Sequence, residues 1–298
     1  MCDSGAERYA LRVTQRWSWL DPDDPRAPSM EIWEGLSQAE RAAVLAALPD
    51  EWQSMPPEGD RHRRPAAQAL STLDAFFRKL GRRVYLSSNL AVYYPAERHF
   101  APDLFAVVDV ETHERDKWVV AHEGKGLDFV LEILLAGDRA KDLDENVERF
   151  ARLGISEYFV FDRSRARLHG FALPAGASAY QALVPQGGGW PSRVLGLDLR
   201  LESDRVRFFY GTAPVLDSEE LLERANVLLE RALAERAEAE RRAEDEARRA
   251  SDEARRAEDE ARRAEDEARR ASEEARRGRE AEKRLAEALA EIERLKGL

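Results

Sequence analysis

The chain has 298 residues, a formal net charge of −11 with 35% charged residues, and one cysteine, Cys2. That length holds one or two domains with a real core, the acidic balance excludes a protein basic all over that coats nucleic acid, and a lone cysteine excludes an internal disulfide. The first twenty residues lack the apolar core of a secretory signal and no apolar run reaches the length of a membrane span, so the expectation is a soluble, cytoplasmic protein with no membrane partner.

Residues 1–55 are the least patterned part. Within them EIWEGLSQAERAAVLAALP (31–49) reads as one amphipathic helix, with Ser37 and Glu40 spaced as a capping box. The flanks, DPDDPRAPS and MPPEGDRHRRP, read as loops. A helix is expected over 66–80, where Leu70, Leu73, Phe77 and Leu80 share a face and Gly81 ends the run. RRVYLSSNLAVYYP (82–95) is strand-like, with a break at Ser87 to Asn89.

The stretch 100–162 organises the rest. FAPDLFAVVDV, LDFVLEILLAGD and EYFVFD are short apolar segments bounded by Gly, Asp and Pro, the pattern of buried strands. We expect 104–110, 129–135 and 158–161 to be neighbours in one sheet, with a helix over 139–153 packed on it. Later strands are expected in ARLHGFALP and at 179–184, and a hairpin over 195–210 turning at Ser203 and Asp204. This order gives an α/β or α+β domain on one mixed sheet.

Two of the central strands carry an acid. Asp103 follows Pro102 at the start of the first, and Glu132 lies inside FVLEILL. A carboxylate in such a place neutralises, finds a cation or ligates a metal, and two of them on adjacent strands can share a hard divalent cation. Taken singly, Asp103 reads as a turn cap, Glu132 as a partner of Arg149, and Asp128 as a strand cap or a neighbour of the site. The histidines make no zinc spacing with a cysteine. GGG (187–189) lacks the lysine and helix of a phosphate loop, and no G-x-S-x-G is present.

From 217 the composition changes. Residues 241–275 are five heptads, RRAEDEA RRASDEA RRAEDEA RRAEDEA RRASEEA, with alanines from Ala243 to Ala275 at the four-three spacing of a coiled-coil seam. The register extends back to Leu229 and Leu233 and forward to Leu285, Leu289 and Ile292. A continuous helix over this region spans ~120 Å at about 1.5 Å per residue. An alanine seam buries little, whereas Glu244 with Arg248 and Asp245 with Arg249 stabilise a helix from within. Both readings stand: a coiled coil that makes the chain a homo-oligomer, or a solitary charged helix zipped at its leucine-bearing ends.

The ordered set VYLSSNLAVYYP, FAPDLFAVVDV, HEGKGLDFVLEI, AGDRAKDLDENVERFARLGISEYFVFD, LHGF and LGLDLRLE resembles the Uma-two family of restriction endonucleases, within the PD-(D/E)XK nuclease superfamily. The resemblance covers about 56–210. It implies an α/β, restriction-endonuclease-like mixed sheet flanked by helices over 56–216, followed by the long C-terminal helix over 217–298. It also implies a Mg²⁺- or Mn²⁺-dependent endonuclease acting on DNA, with Asp103 and Glu132 as metal ligands and catalytic residues. A lysine would complete the site. The superfamily position two after the acid is Leu134, and the family's alternative on the next helix is Asn146. Lys125, in HEGKG, matches a basic position before the acidic strand and is the first candidate; Lys141 is the second, and a site with no lysine is the third outcome. Two readings stand for Glu58 and His62, before the first helix: groups within reach of the site, where the family carries a polar residue, or, taken as isolated residues, exposed loop groups. The rival functions are a nuclease fold that binds without cleaving, and a coiled-coil scaffold capped by the domain.

Overall fold

The structure is a computed structural model that describes residues 24–50, 59–135 and 141–296. Cys2, Glu58 and the first residues of the helix expected over 139–153 lie outside the described residues. Two compact units divide the chain, one ending at Leu222 and one running Glu223–Leu298.

The single helix expected over 31–49 is two. Helix α1 spans Met30–Gly35 and α2 spans Gln38–Ala47. Ser37 causes the break: its backbone is extended, and its side chain and Glu40 form a reciprocal capping box. A strong cap inside an amphipathic run starts a new helix there, and such caps are worth about 0.5–2 kcal/mol. Trp33, Val44 and Leu48 are buried against Tyr93 and Val119, so both helices belong to the domain core.

Helix α3 spans Asp60–Leu80 and therefore begins six residues before the expected start. Pro65 lies inside it. Proline has no N–H, so the carbonyl of Arg61 loses its intrahelical donor. The Arg163 guanidinium donates to that carbonyl instead. Gly81 ends the helix in the left-handed conformation, as its position suggests.

The central sheet contains β1 (Val84–Ser87), β3 (Leu104–Val108), β5 (Phe129–Leu134), β6 (Glu157–Asp162), β7 (Arg167–Ala172) and β8 (Gln181–Ala182), in the order β1-β3-β5-β6-β7-β8. The three acid-bearing or apolar segments are neighbours, as their pattern predicts. The β5–β6 pair is parallel and the other pairs are antiparallel. The parallel return passes through a π-helical turn, Lys141–Glu145, and α5, Asn146–Arg152. A short parallel pair, β2 (Val92–Tyr93) with β4 (Trp118–Val119), lies outside this sheet, and α4 (Val120–Glu123) follows β4.

Strand alternation sorts the core into two layers. Leu104, Ala106, Phe129, Leu131, Ile133, Phe159 and Phe161 pack under Ala66, Ala69, Leu73 and Phe77 of α3. Phe105, Val107, Val130, Leu134, Tyr158 and Val160 pack with Trp118 and with Phe150 of α5. A second sheet, β12-β11-β10-β9, closes the α3 side. It comprises β9 (Gly189–Ser192), β10 (Leu197–Glu202), β11 (Arg205–Tyr210) and β12 (Ala213–Pro214), with the expected hairpin between β10 and β11.

Buried Glu157 at the start of β6 joins the two sheets, accepting from Ser192 Oγ, Arg193 N at 2.7 Å and Val194 N at 3.3 Å. Burial raises its carboxyl above the usual range against those bonds. Helix α6, Ser218–Lys296, is long, continuous and charged. Asp217 and Glu220 cap its start reciprocally, and Arg205 pairs with both. Within Glu223–Leu298, Leu229, Leu233, Leu285, Leu289 and Ile292 are all exposed on the single chain.

Candidate active site

The β3–β5 ladder ends at the pair Leu104–Leu131. One more step of that antiparallel register sets Asp103 opposite Glu132. Alternation then decides the face: Phe105 and Val130 lie on the α5 side of the sheet, so Asp103 and Glu132 do too. Side chains directly opposite across antiparallel strands stand about 4.5–5.5 Å apart at Cβ.

The two carboxylates take over hydrogen bonds that the ladder would otherwise make. Asp103 N donates to Glu132 Oε2 at 3.3 Å, and Ile133 N donates to Asp103 Oδ2 at 2.6 Å. Asp103 is 4% exposed and Glu132 is half-buried. Burial first, then the neighbouring charges of Asp103 and Asp142, hold the Glu132 carboxyl well above the usual carboxylate range. The pair therefore takes up a proton more readily than two exposed acids would.

Three further side chains frame this pair. His62, in the first turn of α3, places Nε2 at 3.3 Å from Asp103 Oδ2. Asn146, buried at the start of α5, donates to Asp142 Oδ1 at 3.1 Å. Tyr158 of β6 donates its hydroxyl to the Asp142 carbonyl at 2.9 Å, which fixes the π turn beside Glu132. The Tyr158 hydroxyl is itself pushed up by burial and then by the charges of Glu132 and Asp142.

Lys125 is not brought to this pair. Its ammonium donates to the Val108 carbonyl at 2.5 Å and lies 2.9 Å from Asp128 Oδ2. Val108 is the far end of β3, five residues from Asp103 and so about 16 Å away at ~3.3 Å per residue. A lysine side chain held there does not reach the carboxylates. Asp128 accepts from Val108 N at 2.8 Å, so it caps the strand start and does not join the site. Lys141 opens the π turn and is exposed. His62 is on a helix and reaches the site, and in that helix Arg163 donates to the Arg61 carbonyl that Pro65 leaves without its intrahelical donor. Nothing in the local sequence EYFVFD marks the Tyr158 hydroxyl.

The donor set suits a hard cation. Carboxylate oxygens are what Mg²⁺ and Mn²⁺ take, and Mg²⁺ is held by one or two carboxylates with water and phosphate supplying the rest. Among the described residues no group of three or more His, Cys, Asp or Glu side chains is arranged to hold a metal ion.

Comparison with known proteins bears on what this arrangement is. The family model described as "Uma2: Putative restriction endonuclease" matches residues 31–203, more than half of the chain. The chain belongs to the Uma2 family. The matched span takes in α2 and all of α1 but Met30, which agrees with their packing on the same core, and it contains every member of the Asp103–Glu132 site. No curated protein matches the chain. One solved structure that it is similar to is "a putative nuclease belonging to DUF820" from Anabaena variabilis ATCC 29413. The TM-score is 0.37 at 12% sequence identity, over 48% of this chain and 78% of that chain. No helix among the described residues of this Uma2 protein is long and apolar enough to cross a membrane.

Proposed function

We propose that this Uma2 protein is a divalent-metal-dependent endonuclease that hydrolyses phosphodiester bonds in DNA, with Asp103 and Glu132 as the ligands of Mg²⁺ or Mn²⁺. The observation that carries the reading is the cross-strand convergence of these two acids at the end of the β3–β5 ladder. When bound there, such a cation supplies the positive charge that stabilises a phosphodiester under attack by water. The chain's own residues prepare the place. Ile133 N and His62 fix the Asp103 carboxylate, and Asp103 N fixes that of Glu132. Tyr158 and Asn146 hold Asp142 where its charge adds to the local negative potential that draws in a cation.

On this reading Lys125, whose ammonium binds the Val108 carbonyl, takes no part in the mechanism, and His62 is the basic side chain beside Asp103. A second reading has a specific observation behind it. Leu134 and Asn146 stand where the resemblance expects a lysine, and the Asn146 amide supplies no charge. On that reading the fold binds nucleic acid without cutting it. In either case the exposed leucines near both ends of α6 support self-association of the chain through that helix.

Incubation of the full chain with supercoiled plasmid and with Mg²⁺ or Mn²⁺ tests the assignment. The expected result is metal-dependent nicking that is lost in Asp103→Asn and in Glu132→Gln and retained in Lys125→Ala. Absence of both cleavage and metal-induced thermal stabilisation in the wild type would move the protein to the binding-module reading. Cleavage that survives Asp103→Asn would remove the mechanism.

A further inference from the structure

The sequence is acidic overall, yet basic residues collect next to the carboxylate pair. RHRR, Arg61 to Arg64 with His62 among them, forms the first turn of α3, and DRSRAR, from Asp162 to Arg167, forms the turn between β6 and β7. These segments are about a hundred residues apart, and one side chain unites them. Arg163 leaves the β6–β7 turn and donates to the Arg61 carbonyl, while its other nitrogen pairs with Asp204 at 2.6 Å. Arg61, Arg64, Arg163 and Arg205, with Asp60 and Asp204 among them, line an open hollow of about 330 Å³.

Not all of this charge is spent inside the protein. Arg163 is committed as described, and Arg205 pairs with Asp217 and Glu220. Arg64 reaches Asp60 only at 3.4 Å and its side chain is 79% exposed. The guanidiniums of Arg61 and Arg165 are exposed and have no partner among the described residues. Near the carboxylates the π turn carries Asp142, Asp144 and Glu145, and the Asp142 charge acts on Glu132.

We infer that the Arg61–Arg64–Arg165 wall is the docking surface for the sugar–phosphate backbone of duplex DNA, holding it beside Asp103 and Glu132. The inference rests on the endonuclease reading for its choice of partner. Guanidiniums recognise phosphate oxygens by paired N–H donors. His62 sits between Arg61 and Arg63 and touches Asp103, so a phosphate held by the wall lies within one turn of α3 of the acids. An acidic protein repels DNA at long range, so a local basic wall also fixes the side from which the strand approaches. The contacts are to backbone and carry no base sequence by themselves.

The test is fluorescence anisotropy of a labelled 24-base-pair duplex with the full chain, in EDTA so that no hydrolysis occurs, from 25 to 200 mM salt. Arg61→Ala/Arg64→Ala/Arg165→Ala should weaken binding at least tenfold. It should also make the slope of log Kd against log salt shallower by about 2–3, since each phosphate contact contributes roughly 0.9. The triple Arg→Lys variant retains the charges and should recover most of the slope. It also serves if the alanine variant loses its fold, because lysine at the same positions gives up the paired N–H donors and should still bind more weakly than wild type. Unchanged affinity and slope in the alanine variant, or failure of the wild type to bind the duplex at 25 mM salt, would overturn the inference. Lost binding in the alanine variant of a wild type that never cleaves supports this surface and counts against the endonuclease reading. Cleavage by a variant with undiminished binding does the reverse.

Discussion

Glu132→Gln in metal-free protein isolates the electrostatics of the carboxylate pair. Glu132 is held well above its ordinary value of 4.5, by burial first and then by Asp103 and Asp142. A carboxylate raised by folding binds more protons in the folded state than in the unfolded one. Its contribution to stability is therefore fully present below the unfolded value and is lost as pH rises through the folded value. Each unit of that rise removes about 1.4 kcal/mol at a pH above both values. Glutamine has the same length, carries no charge, can accept from Asp103 N and can donate to the Asp103 carboxylate. A hydrogen bond to a charged group is worth about 1.5–3 kcal/mol. At pH 8 and without metal, Glu132→Gln should be more stable than wild type by roughly 1–3 kcal/mol, or about 3–10 °C in Tm for a domain of this size. Differential scanning fluorimetry in EDTA from pH 5 to 9 should show the gap widening as pH rises. Added Mg²⁺ should raise the wild-type Tm and leave the variant nearly unmoved. A variant no more stable than wild type at pH 8, or a gap constant across the range, would refute the idea that the pair is a site of stored repulsion.

Glu157→Ala orphans Ser192 Oγ, Arg193 N and Val194 N and should cost about 2–4 kcal/mol by urea unfolding, whereas Glu157→Gln should cost only about 1 kcal/mol, because its amide oxygen still accepts from Arg193 N and Val194 N and its NH2 group donates to a reoriented Ser192 Oγ. Gly126→Ala should lower stability by about 1–3 kcal/mol in the same assay, since a Cβ there would stand 2.7 Å from the Tyr94 hydroxyl, which is held by Leu127 N at 2.8 Å. Removal of residues 223–298 should leave a folded domain and abolish self-association measured by light scattering; the cut spares Asp217 and Glu220, whose bonds to Arg205 tie the helix start to the domain. In the full chain that association should strengthen with salt. The alanine seam is flanked on both sides by acids such as Glu246, Glu253, Glu258 and Glu260, so zipping brings like charges together; a monomer at every salt concentration would favour the solitary helix.

Much of the architecture follows from local rules. The apolar runs at 104–108, 129–134 and 157–162, the turn at Ser203 and Asp204, and the seven-residue period beyond 240 each express a preference that acts over a few residues, so each was legible in the sequence. The same holds for the two acids, because a carboxylate inside such a run is anomalous wherever the strand ends up. What joins Asp103 to Glu132 is a register, and register depends on the pairing of strands 29 residues apart. Lys125 shows the converse. It lies close to the acidic strand in sequence, yet β3 and β5 run antiparallel, so its contact with Val108 puts it at the other end of the sheet. The start of α3 is non-local in the same sense. Read alone, Pro65 argues for a loop before it; in the fold the Arg163 guanidinium, delivered from another strand pair, donates where the proline N–H is missing, and His62 of the same turn meets Asp103. Periodicity and turn chemistry set the elements; the long-range hydrogen bonds that assemble the site form only once the sheet has brought distant segments within about 3 Å of one another.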